Sequence, residues 1–148
     1  MTVFRPQCLL FGLLISCLAA TILPTARAAS PIGLWRGADA TFEIFESEGT
    51  LSARIVSLSE PMTAEGKEKT DIYNPDPTKH EDPIIGLIFI SGFMKKSDDH
   101  WENGTVYDPK SGRSYSCSMD LQDPDKIKLR GFIGTSLFGR DYIWTRVN

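Results

Sequence analysis

From residue 33 onward the chain alternates with a period of two. Phe42, Ile44 and Glu46 interleave with Thr41, Glu43 and Phe45, and Ser47-Glu48-Gly49-Thr50 forms a turn. Leu51, Ala53 and Ile55 then interleave with Ser52, Arg54 and Val56. Two alternating runs around a Gly-containing turn predict a β-hairpin. The clearest alternation comes later. Arg113, Tyr115, Cys117, Met119 and Leu121 share one face, while Ser114, Ser116, Ser118 and Asp120 share the other. That is a strand with one buried and one wet side. Ile127, Leu129 and Gly131 repeat the pattern against Lys126, Lys128 and Arg130. Between these segments, Asp108-Pro109-Lys110-Ser111-Gly112 and Gln122-Asp123-Pro124-Asp125 carry turn chemistry.

The pattern predicts about eight strands, at 33–37, 40–47, 50–58, 84–94, 101–108, 113–121, 126–133 and 139–147. No segment after residue 28 keeps a helical period for three turns. Tight turns make sequence neighbours spatial neighbours. The expected fold is therefore all-β, an up-and-down antiparallel barrel of about eight strands, since eight strands close readily and closure removes exposed edges. A two-sheet sandwich is the alternative. One connection breaks the rhythm. Residues 60–83 hold four prolines (Pro61, Pro75, Pro77, Pro83), and a loop of this length is expected to be functional and to lie across a barrel mouth. It has room for a short helix.

The N-terminus changes the picture. Arg5 is the only charge in the first 26 residues, Cys8 to Leu23 is largely apolar, Pro24 follows, and Ala26-Arg27-Ala28 offers small residues for cleavage. This reads as a secretory signal peptide over 1–28, with a single domain over 29–148. The apolar run of 16 residues is shorter than the roughly 20 a spanning helix needs, so no membrane span is expected. Leu14-Ile15-Ser16-Cys17 also looks like a lipobox that would acylate Cys17, although six apolar residues follow where a polar tether is usual. The expected location is the bacterial periplasm or the exterior, with a lipid anchor through Cys17 as the lesser alternative. Removing 28 of 148 residues leaves 120, takes Arg5 and Arg27 but no acid, and moves the formal charge from −3 to −5. That balance argues against nucleic-acid binding. Cys117 alone remains, so no internal disulfide can form and the core must hold the fold.

Gly33-Leu34-Trp35-Arg36 resembles the G-x-W signature of lipocalins. That resemblance implies a tryptophan closing one barrel end beneath an arginine of the last strand; Arg146 is the first candidate and Arg140 the second. The whole chain after residue 33 resembles the bacterial secreted family catalogued as domain of unknown function 2147. The matching pieces are Gly33-x-Trp35, Lys69-Thr70-Asp71-x-x-Asn74-Pro75-Asp76-Pro77, Ile85-Gly86-Leu87 and Gly104-x-x-Tyr107-Asp108-Pro109-x-x-Gly112-x-x-Tyr115. They continue with Leu129-x-Gly131-x-x-Gly134, Leu137-Phe138-Gly139-Arg140 and Trp144-Thr145-Arg146. The resemblance implies a lipocalin-like barrel and no established reaction. Two departures stand out. Many members carry cysteines near Ser47 and Ser52, and the usual basic run after Asn-Pro-Asp-Pro is here Thr78-Lys79-His80-Glu81-Asp82-Pro83, so an anion-binding loop is not carried over.

Candidate chemistry is sparse. His80-Glu81-Asp82 and Asp98-Asp99-His100 offer two ligands each, fewer than a metal site requires, and read as solvated turns. Asp71, Asn74 and Asp76 match no EF-hand spacing and are expected to accept hydrogen bonds from loop backbone and set its course. Cys117 has no adjacent base and reads as a small apolar residue. No hydrolase, zinc, phosphate-loop or redox motif occurs, so no catalytic residue, metal or cofactor is predicted. The function expected is binding or carriage of a small hydrophobic molecule in the envelope. Phe42, Ile44, Leu51, Ile55, Tyr115, Cys117, Met119, Leu129, Tyr142 and Trp144 are the candidate lining. The alternative is a protein–protein or envelope-interaction module, with the 60–83 loop as contact surface and a filled barrel as scaffold. Oligomeric state is not encoded in any pattern found.

Overall fold

The computed structural model describes residues 29–148. The expected signal peptide over 1–28, with its expected cleavage site and Cys17, lies outside the described residues.

The alternating segments form β1 (Gly33–Arg36), β2 (Ala40–Ser47), β3 (Thr50–Leu58), β4 (Ile88–Lys95), β5 (His100–Asp108), β6 (Arg113–Asp123), β7 (Lys126–Phe132) and β8 (Arg140–Arg146). Each pairs antiparallel with the next, and β1 pairs with β8 through Trp35 opposite Arg146 and Arg36 opposite Thr145. The sheet is a closed up-and-down barrel, and the sandwich alternative is excluded. Antiparallel order puts the turns at 47–50, 96–99 and 123–126 at one end, the base. The connections at 36–40, 59–87, 109–112 and 133–139 gather at the other end, the mouth.

The expected strand limits agree within two residues except at one place: β4 begins at Ile88, not at 84. The apolar residues Ile84, Ile85 and Leu87 look like strand, but Gly86 at φ +96° and the bond from the Leu87 N–H to the Ile84 carbonyl (3.2 Å) make a turn there. The long connection therefore runs to Leu87. A single-turn 3-10 helix at Pro77–Lys79 is the short helix within it.

The base is sealed as the lipocalin resemblance implies. Trp35 is 0% exposed, its Nε1 donates to the Pro31 carbonyl at 2.7 Å, and the Arg146 guanidinium lies 4.2 Å over its ring. Arg146 also donates to the carbonyls of Ser30 (2.6 Å), Ile32 (3.3 Å) and Pro124 (2.7 Å). The stacked, multiply bonded geometry suits a planar guanidinium and not an ammonium. Arg140, the second candidate, is displaced from this role. It pairs with Gly131 at the mouth end of β8, a full strand length from Trp35, and is exposed.

Inside, Ile44, Leu51, Ala53, Ile90, Phe93, Trp101, Cys117, Met119, Leu121, Ile127, Leu129 and Trp144 form one buried cluster with Trp35. Met119 and Ile127 are 0% exposed. Above them Phe42 stacks on Trp144 (4.4 Å between centroids), with Phe89 at 5.0 Å from Phe42 and 6.1 Å from Trp144. Phe89 follows the first residue of β4 and Trp144 belongs to β8, strands on opposite sides of the eight-strand ring, so this trio spans the lumen. Burial pushes the Cys117 thiol up to about 12, leaving negligible thiolate at neutral pH. A thiol-modifying reagent is expected to leave Cys117 untouched in the folded protein and to label it once in strong denaturant; labelling at equal rates in both states would contradict a closed core.

Candidate functional site

Of the ten expected lining residues, Ile44, Leu51, Ile55, Cys117, Met119, Leu129 and Trp144 are buried, and Phe42 packs against their cluster. They fill the lumen instead of framing an empty one. Tyr115 is half-buried and Tyr142 is 52% exposed, although both share an alternation face with buried neighbours. Their height explains this: both stand near the mouth, where no ring covers them. The expected lining thus divides into a packed interior and a shallow rim.

Two concavities stand out, and both open on the outer wall. The first, about 430 Å³, runs over β5 and β6. The second, about 400 Å³, lies between the long loop and the wall, lined by Asp71, Asn74, Pro75, Lys79, Asp82, Leu87, Ile88, Tyr107 and Ser114. Around Asp71 the loop docks on the outer wall beside the mouth, because alternation turns Tyr107 away from the core while Val106, which pairs with Ile90, turns toward it. The Tyr107 hydroxyl donates to Asp71 Oδ1 at 2.7 Å.

Asp71 is the keystone of this second site. It is 1% exposed, and its other oxygen accepts from Asn74 Nδ2 at 2.7 Å. Both bonds come from side chains, not from the loop backbone as expected. Backbone bonds are accepted instead by Asn74 Oδ1 from the Asp76 N–H (2.9 Å) and by Asp76 Oδ1 from the Thr78 N–H (3.0 Å), which caps the 3-10 helix. The His80 ring sits 2.9 Å from the Asn74 carbonyl oxygen. The Asp71 N–H donates to Asp82, and the Ile84 N–H to Lys69. Gly112, in the left-handed region at φ +68°, lets the β5–β6 turn approach the loop so closely that a Cβ there would lie 2.0 Å from the Tyr73 carbonyl oxygen. Two motifs 36 residues apart in sequence, one around Asp71 and one around Tyr107, therefore meet at a single spot. Tyr107 is the functional candidate that sequence reading missed. Its signal was parity: a large aromatic on the wet face of a strand.

Burial and the neighbouring Asp71 push the Tyr107 phenol up to about 12. An unfolded tyrosine ionises near 10, so between about pH 10 and 12 the folded chain holds a proton that the unfolded chain has lost. Stability therefore falls as pH rises through that window and is unaffected by this group below it. Alkaline titration of tyrosinate absorbance is expected to show a step at about 12 that disappears in Tyr107→Phe; an unchanged titration would dissociate Tyr107 from the step.

Near the first concavity, His100 Nδ1 lies 2.6 Å from Asp120 Oδ1, and Lys128 Nζ lies 3.1 Å from Asp120 Oδ2. Partial burial alone would raise the Asp120 carboxyl, but these two donors outweigh it and hold it below its usual range. Among the described residues, no three His, Cys, Asp or Glu side chains converge in a way that could hold a metal ion, and no helix is long and apolar enough to cross a membrane.

The architecture has a solved counterpart. The structure titled "Protein HP1028 from the human pathogen Helicobacter pylori belongs to the lipocalin family" is similar with a TM-score of 0.71 and 19% identity, over 81% of this chain and 84% of that one. At that identity the likeness concerns the fold, which is lipocalin-like. Residues 33–146, which carry the sealed base, the Asp71–Tyr107 lock and the mouth, match the family described as "Uncharacterized protein conserved in bacteria (DUF2147)", and the chain belongs to that family.

Proposed function

We propose that this protein is a non-catalytic binding protein of the bacterial envelope that recognises its partner on the loop-bearing outer surface, with the barrel as a solid scaffold. The aromatic trio Phe42, Phe89 and Trp144 carries this reading, because it spans the lumen an interior ligand would occupy. The loop adds support. Asp71, Asn74 and Gly112 hold it against the wall, while Ile72 and Tyr73 stand 56% and 59% exposed. A loop ordered before binding loses less conformational entropy on association.

The test is retention of an envelope component by the immobilised full chain. A component held by the wild type and lost with Ile72→Ser plus Tyr73→Ala supports the reading; equal retention by both overturns it. A second reading, carriage of a small hydrophobic molecule above the aromatic trio, is favoured by Tyr142 and Tyr115 at the rim and by the lipocalin-like fold. Native mass spectrometry of protein taken from its own envelope separates the two. A reproducible excess mass that vanishes on denaturation favours the carrier and overturns the surface reading.

A further inference from the structure

The groove over β5 and β6 is chemically unlike the loop site. Its walls are His100, Glu102, Asn103, Thr105, Ser116 and Ser118, with Phe132 and Ser136 along one side. Thr105 and Ser116 face each other across the β5–β6 ladder, and Ser116 pairs with Phe132 across β6–β7, so the three form one row on the outer surface. The far side is made by the β7–β8 connection. Arg130 draws it outward, with Nε donating to the Ser136 carbonyl at 2.6 Å while Nη1 pairs with Asp141 at 2.6 Å.

A bulge shapes the floor. Register shifts between Trp101 and Gly104, and Asn103 takes φ +64°, which turns Glu102 and Asn103 toward the groove. Bulges re-aim side chains, and asparagine enters the left-handed region more readily than most residues, which lets the bulge form here. Gly104 cannot be larger, since a Cβ would lie 2.5 Å from the Phe93 ring.

Three properties define what fits. First, the hydroxyls of Thr105, Ser116, Ser118 and Ser136 make no side-chain hydrogen bonds among the described residues, and His100, held through Nδ1 by Asp120, has its Nε2 4.0 Å from Glu102 Oε2 on the groove wall. Each hydroxyl can both donate and accept, the valence that matches a ligand made of hydroxyls. Second, the nearby cations are engaged elsewhere: Lys128 with Asp120, Arg130 with Asp141, and Lys96 with Glu102 at 3.2 Å. The groove therefore has no free positive charge for an anion, and its hydroxylated walls disfavour a wholly apolar guest. Third, Phe132 offers one flat ring, on which the C–H face of a sugar can pack by dispersion. The volume of about 430 Å³ falls in the range of small-molecule sites, roughly 300–1,000 Å³.

We propose that this groove binds a neutral polyhydroxylated ligand, a small saccharide, through the Thr105–Ser116–Ser118 hydroxyls, the Asp120-oriented His100 and the ring of Phe132. The proposal is independent of the loop surface. Amide chemical shifts of the full chain would be followed during titration with maltose, cellobiose and N,N′-diacetylchitobiose. At least one is expected to bind with a Kd on the order of 1 mM, as suits a small, exposed site. Its shifts should centre on 102–105 and 116–118. Phe132→Ala is expected to weaken that saccharide about tenfold. Thr105→Val, a near-isosteric change at an exposed strand position that keeps the fold even if Phe132→Ala does not, should weaken it several-fold. Absence of shifts with all three sugars, shifts centred on 69–82 or the mouth, or unchanged affinity in Thr105→Val would overturn the proposal.

Discussion

Trp35→Ala is expected to lower the unfolding free energy by about 3–5 kcal/mol, the range for removing a fully buried large aromatic. Domains of this size hold roughly 5–15 kcal/mol in total, so the variant should sit near its folding threshold. The cost has identifiable parts. The indole is 0% exposed, so its loss opens a cavity at the base, and the Pro31 carbonyl loses the Nε1 donor. Arg146 loses the ring 4.2 Å beneath it, a stacking worth roughly 0.5–2 kcal/mol. Urea unfolding followed by far-UV circular dichroism measures the change without relying on the deleted fluorophore. Arg146→Lys separates the parts, because it keeps the charge and the cavity stays filled while the stacked plane and its fork of carbonyl bonds go. A loss below about 1 kcal/mol for Trp35→Ala would mean that the base is not a cohesive plug.

Gly112→Ala should release the long loop while leaving the barrel closed. The added methyl meets the Tyr73 carbonyl oxygen at 2.0 Å, and the residue must hold φ +68°. Overpacking of this kind costs about 1–3 kcal/mol, with roughly 1 kcal/mol more for a left-handed alanine. Neither penalty reaches the interior cluster around Met119. Hydrogen exchange is therefore expected to accelerate at the Asp71, Asn74 and Ile84 amides, with the Met119 and Leu129 amides unchanged. Uniform acceleration across all strands would show instead that the loop and barrel unfold as one unit.

The strands were legible because one face of each is wet and the other dry. Cys117, Met119 and Leu121 against Ser116, Ser118 and Asp120 leaves little choice of register. Where both faces of the chain are apolar the signal fails. Ile84 to Met94 reads as one strand, yet a turn at Gly86 occupies its first third. Alternation gives the side of the wall a residue faces but not its height along the barrel. That is why Tyr142 and Trp144, two apart on β8, end at 52% and 6% exposure. Arg140 and Arg146 also share a parity, so placing Arg146 first rests on the resemblance and not on alternation. Whether the lumen is hollow depends on rings meeting from opposite walls, as Phe89 and Trp144 do, which no local window encodes. The Asp71–Tyr107 lock is of the same kind, although both partners lay in motifs that the sequence displayed.

The contacts of Arg146 with the Ser30 and Ile32 carbonyls, and of the Val147 N–H with the Leu34 carbonyl at 2.9 Å, bring the two ends of the folded domain together. A ring of hairpins whose ends touch has no privileged starting strand. The exposed turn at Glu48-Gly49 could serve as a new start and finish, with a short bridge joining the old ends, and the same eight neighbours would still find one another. Such a circularly permuted chain would differ mainly in the separation of its contacts: the seam that now spans more than a hundred residues would become a local turn, while the β2–β3 hairpin would become the distant closure.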